Sequence, residues 1–176
     1  MPILDANAST LLVVDFQARL MPVIKDADAA IANARRLLDA AAKLDVPCVF
    51  TEQNPAGLGG TVPALSPSGP VLSKMTFDAV GSPGMLDHVP EGQAVVVTGC
   101  EAHVCVLQTV LGLLRAGRTV YVVRDAVGSR RDENKEAAVR RMERHGAEIV
   151  TTEMVVFEWL GTCEHPGFRE VVGLIK

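Results

Sequence analysis

The chain has 176 residues, with 17 Lys and Arg against 21 Asp and Glu, for a formal net charge of −4. That length fits one domain, residues 1–176, able to bury a core without disulfides or a structural metal. The acidic balance and an aromatic content of only 4% supply neither the basic footprint nor the stacking platform of a nucleic-acid binder, so no nucleic-acid partner is expected.

The four cysteines (Cys48, Cys100, Cys105 and Cys163) form no C-x-x-C pair and no zinc-finger cluster. A disulfide framework is therefore not expected, and a reducing compartment fits better. Residues 1–7 carry no basic segment leading into an apolar stretch, so no secretory signal is expected. No apolar run approaches the ~20 residues that span a bilayer. The expectation is a cytoplasmic protein with no membrane partner.

The elements follow in chain order. An apolar run, Thr10 to Val14, closes at Asp15. From Asp28 to Leu44, apolar residues at Ile31, Ala34, Leu37, Leu38 and Ala41 repeat with helical spacing. Val46 to Thr51 reads as a second strand. Asn54 to Gly69, dense in Pro and Gly, reads as a long surface loop, and loops of that length are often functional. Val71 to Phe77 is a short strand-like segment with one cation, Lys74. Ala94 to Thr98 and Thr119 to Val123 are further β-branched runs, separated by a helical pattern from Val104 to Ala116 with Gly117 as its cap. A charged helix from Glu133 to Arg144 precedes a last run, Glu148 to Thr151. The apolar cluster of Phe157, Trp159 and Leu160 suggests a subunit interface.

Continuous rather than alternating apolar runs indicate strands buried on both faces. Strands alternating with helices imply βαβ units. The expected fold is thus a three-layer α/β/α sandwich with a mainly parallel, Rossmann-like central sheet. Ligands of such sheets bind at the carboxyl ends of the strands, where Asp15, Glu52, Gln53, Gly99 to Glu101 and Asp125 fall.

Cys105 lies just beyond a strand ending at Thr98-Gly99, in the first turn of the following helix. Helix N-termini carry partial positive charge, which lowers a thiol pKa and favours thiolate. By position alone Cys105 fits a nucleophile and a small buried hydrophobe equally well. Asp15 alone reads more readily as a helix cap, and Lys74 alone as a solvated surface lysine.

The three in order carry more information. The stretches Leu12-Val13-Val14-Asp15-Phe16-Gln17, Ser73-Lys74-Met75-Thr76-Phe77-Asp78-Ala79, Thr98-Gly99-Cys100-Glu101-Ala102-His103-Val104-Cys105-Val106 and Val123-Arg124-Asp125-Ala126-Val127-Gly128-Ser129-Arg130 together resemble the isochorismatase-like cysteine hydrolase superfamily. Thr51-Glu52-Gln53-Asn54-Pro55 is similar to its uncharacterised isochorismatase-domain-containing branch. The resemblance implies a hydrolase with a triad of Cys105 as nucleophile, Asp15 as acid/base and Lys74 as its partner. It implies a cis peptide at Cys100–Glu101 and oxyanion donors from the backbone N–H groups of Glu101 and Cys105. It also implies a homo-oligomer.

Zinc-dependent members carry an Asp and closely spaced histidines after the second strand, whereas here the stretch 51–57 has no histidine and His88, His103, His145 and His165 are scattered. No metal and no cofactor are expected. Isochorismatases proper lack the nucleophilic cysteine. The expected reaction is hydrolysis of an amide or ureido C–N bond of a small molecule through a thioester. Nearness in sequence to the triad suggests a pocket of Phe16, Gln17, Gln53, Phe77 and His103.

Competing readings are a catalytically inactive oligomeric module, nicotinamidase-like or isochorismatase-type activity, and a thiol redox enzyme using Cys100 and Cys105. A Rossmann-type nucleotide binder would need a glycine-rich turn after the first strand, and Asp15 to Arg19 contains no glycine.

Overall fold

The computed structural model describes residues 3–176. Its six strands among the described residues are β1 (Ser9–Val14), β2 (Cys48–Gln53), β3 (Val71–Lys74), β4 (Ala94–Cys100), β5 (Thr119–Gly128) and β6 (Glu148–Val150). All pair in parallel in the order β3-β2-β1-β4-β5-β6. The helices are α1 (Ala27–Lys43), α2 (Pro55–Leu58), α3 (Leu107–Arg115), α4 (Asp132–Arg144), α5 (Thr152–Leu160) and α6 (Phe168–Val172). The protein is the three-layer, parallel α/β sandwich anticipated from its strand–helix alternation.

Side-chain alternation along β1 builds both cores at once. Leu11 and Val13 pack with the Ala34, Leu37 and Ala41 face of α1, together with Val155, Val156 and Trp159 of α5. Leu12 and Val14 point the other way, toward Val110 and Leu113 of α3 and Ala138 and Met142 of α4. Every residue of β1 is buried, which explains its unbroken apolar run. The alanines on α1 let that helix approach the sheet closely.

Several boundaries differ from expectation. β5 runs on to Gly128, past the apolar run, because a register shift between Val97 and Gly99 keeps it paired with β4 as far as Cys100. The helix expected from Val104 begins instead as a π turn, Ala102–Val106, which flows into α3. α5 has no counterpart in the sequence reading; Thr151 caps it by accepting from the Met154 N–H. Of the apolar cluster expected at an interface, Phe157 is 47% exposed, whereas Trp159 on α5 is a core residue. It is 4% exposed, and its indole N–H donates to Ser9 Oγ at 3.1 Å. The polar partner sits on β1, 150 residues away, so the chain's own sheet claims this ring.

The Pro/Gly-rich loop is clamped rather than free. Residues 16–19 receive and donate along its length: Ala18 N–H to Gly60 O, Arg19 N–H to Leu58 O, and Val62 N–H to Phe16 O. No helix among the described residues is long and apolar enough to cross a membrane.

Candidate active site

β1 and β4 lie side by side at the centre of the sheet, yet β1 is followed in sequence by β2 on one side, while β4 leads to β5 on the other. This reversal leaves a crevice at their carboxyl ends. Asp15 stands at its base. The residue leaves β1 with φ 51°, and its backbone N–H donates to Thr51 O at 3.1 Å. Gly99 closes the other wall with φ 153°; a Cβ there would lie 2.4 Å from Val14 O, so only glycine permits this approach of β4 to β1.

The Asp15 carboxylate has two fixed partners. Lys74, at the end of β3, donates from Nζ to Oδ2 at 2.6 Å, and both side chains are wholly buried. Lys74 Nζ also reaches Thr76 O at 3.2 Å. Thr51, on β2, donates from Oγ1 to Oδ1 at 2.7 Å. A buried ion pair of this kind persists only when further hydrogen bonds satisfy both charges, as they do here.

Cys105 enters from the π turn and is 6% exposed. Asp15 and Lys74 are the charged groups that act on its thiol. Burial, and then the negative charge of Asp15, push the thiol pKa up to about 12, with Lys74 opposing them. This reverses the expectation of a thiolate favoured by a helix N-terminus. Loss of solvent and the charge of Asp15 outweigh the partial charge of a helix end.

The Cys100–Glu101 peptide is cis. The Glu101 carboxylate accepts from the backbone N–H of Arg130 at 3.0 Å and from its Nε at 3.1 Å. Its neighbour His103 places Nδ1 3.0 Å from Ser129 Oγ. Two side chains of this turn are thus tied to the loop after β5. Cys100 packs in the cluster under α1 and Cys105 in the one under α3, so the two cysteines belong to opposite faces of the sheet.

The expected pocket separates into two groups. Phe16 is 1% exposed and belongs to the core under α1, on the face opposite Cys105. Gln17 is fully buried, and its amide is spent: Nε2 donates to Gln53 O and Gly59 O, and Oε1 accepts from Gln53 N–H. Both are structural, because the chain turns inward immediately after Asp15. Phe77, 48% exposed, and the partly buried Gln53 and His103 remain open to solvent. Glu52 caps the loop, accepting from Thr61 N–H and Oγ1. The residue that proximity in sequence missed is Thr51. Its signal was a hydroxyl inside a buried strand, but only register, Val14 opposite Thr51, sets it beside Asp15.

A surface depression of about 970 Å³ lies between the start of α1 and the entrance to α4 and is lined by none of Cys105, Asp15 and Lys74. A smaller one, about 510 Å³, runs along β3 past Lys74, Met75 and Thr76. No group of three or more His, Cys, Asp or Glu among the described residues is arranged to hold a metal ion.

These features define a doubly wound parallel α/β protein with a buried Cys–Asp–Lys cluster at its topological switch point. The Isochorismatase domain family matches residues 9–154, and the chain belongs to that family. Isochorismatase domain-containing protein 2A of Mus musculus is 38% identical over 175 residues, covering 97% of this chain and 84% of its own length. Among solved structures, the MAR1 ribonuclease of Caenorhabditis elegans superposes with a TM-score of 0.94 at 39% identity, covering 99% of this chain and 92% of that one. The YcaC gene product of Escherichia coli, an octameric hydrolase of unknown specificity, superposes with a TM-score of 0.87 at 26% identity, covering 98% and 96%.

Proposed function

We propose that the protein is a metal-independent cysteine hydrolase that cleaves an amide or ureido C–N bond of a small molecule. The observation that carries this is the buried Asp15 carboxylate held by Lys74 and Thr51, whose charge acts on the buried Cys105 thiol. Asp15 takes the thiol proton as Sγ attacks the carbonyl carbon. The backbone N–H groups of Glu101 and Cys105 receive the oxyanion. Collapse of the tetrahedral adduct breaks the C–N bond; Asp15 returns the proton to the leaving amine, and a thioester remains on Cys105. Asp15 then deprotonates a water that hydrolyses the thioester and restores the thiol. Lys74 holds the Asp15 carboxyl group in place throughout.

The raised thiol pKa suits this scheme. A protonated cysteine beside its base is activated only as substrate engages, which protects it from adventitious alkylation. Metal independence is supported by the donor set after β2, which has no histidine and whose Glu52 is occupied by Thr61. The ribonuclease name of the worm relative is not carried over, because a chain of net charge −4 with 4% aromatics lacks what holds RNA.

The test is a screen of small amides and ureides with wild type and Cys105→Ala in parallel, with a metal chelator added to one arm. Turnover by wild type that persists in chelator and disappears in Cys105→Ala is expected. Turnover that survives the substitution would overturn the mechanism.

A further inference from the structure

Thr51 grips Asp15 twice. Its carbonyl accepts the Asp15 backbone N–H at 3.1 Å, and its hydroxyl donates to Asp15 Oδ1 at 2.7 Å. It is 1% exposed, and its neighbours on β1 are apolar. Lys74 holds the other oxygen, Oδ2. With one of these donors on each oxygen, the carboxylate plane cannot turn about χ2 without losing a charge-assisted hydrogen bond.

We propose that Thr51 is a positioning residue that sets the plane of the Asp15 carboxylate and draws off part of its charge, so that Cys105 meets a base of fixed direction and moderated pull. This rests on the triad reading above. Thr51 does not touch the reacting atoms and acts through Asp15. The charged groups acting on the Cys105 thiol are Asp15 from β1 and Lys74 from β3. Glu101 and His103, on the same turn, are engaged by Arg130 and Ser129, and Lys135 of α4 acts on Cys100.

The hydroxyl takes part of the carboxylate's hydrogen-bonding capacity. Removing it leaves the fuller negative charge facing the thiol, which then holds its proton more tightly. A merely structural role predicts the opposite: a loosened strand exposes both buried cysteines to reagent.

The test is alkylation of the intact protein by iodoacetamide at about pH 8, with site-resolved rates from mass spectrometry and melting temperatures measured alongside. In Thr51→Val and Thr51→Ala, Cys105 labelling is expected to slow about tenfold, the size of one lost charged hydrogen bond. Cys100 should stay unlabelled, and Thr51→Ser should return the wild-type rate. An unchanged rate, or faster labelling of Cys105 and Cys100 together, overturns the proposal, as does failure of both hydroxyl-free variants to fold. Asp15→Asn separates the two levels: it removes the charge that holds the thiol proton, so Cys105 labelling should accelerate. If Asp15→Asn leaves the rate unmoved, the triad reading itself fails. If it accelerates labelling while Thr51→Val changes nothing, only the role of Thr51 is lost.

Discussion

Within the site, burial sets the energetics and hydrogen bonds set the directions. Asp15 and Lys74 form an ion pair with no exposed side-chain surface, so neither can be removed cheaply. Lys74→Met should destabilise the fold by about 3–5 kcal/mol in urea titrations, because it strands a buried carboxylate. It should also slow Cys105 alkylation: Lys74 is the group that lowers this thiol's pKa, so without it the thiol, already near 12, holds its proton more firmly. A variant that keeps wild-type stability and reactivity would show that the pair is incidental. The sign for Cys105 follows from the same causes. Its ionised fraction is small throughout the neutral range and rises with pH, so unassisted alkylation should climb steadily between about pH 7 and 9 with no plateau. Exposed Cys163 should label first.

Elements owe their placement to ties that sequence patterns do not display. The stretch from Asn54 to Gly69 reads, from its Pro and Gly content, as a long surface loop. Its backbone is instead held to residues 16–19, and Gln17 pins Gln53 and Gly59 at once. Gln17→Ala leaves buried backbone groups unpaired and should cost about 2–4 kcal/mol. Hydrogen exchange should report faster amide exchange across residues 53–60 with little change in α3 or α4. Uniform loss of protection would mean that the strut serves the whole sheet. The loop after β3 is held as well: Thr109 Oγ1 accepts the Ala79 N–H at 3.0 Å and Asp78 caps the turn that follows. Phe77 is thus an exposed ring on a fixed loop just beyond Lys74. Trp159 shows the reverse error, since an apolar cluster near the chain end reads as surface until a sheet partner is seen.

Across the whole molecule, the parallel order with a reversal between β1 and β4 brings residues 15, 51, 74 and 105 together, though they are spread over more than half the chain. The exposed apolar residues Val71, Met75 and Phe77 flank this region along the β3 edge, and the Escherichia coli relative is octameric. Sedimentation should therefore give a mass that is a multiple of the 18.7 kDa chain, and a monomer at all concentrations would rule out self-association. The amino-acid sequence by itself determined the layers and the parallel sheet, because burial on both faces demands unbroken β-branched runs and helices demand a 3.6-residue stripe. It also singled out Cys105, Asp15 and Lys74 through motif order. Only the tertiary structure decided that Cys105 is buried, which pushes its thiol pKa up, that Gln17 and Phe16 are buried, and that Thr51 faces Asp15. Those outcomes depend on desolvation and on register between strands distant in sequence, and neither quantity is encoded in any local run of residues.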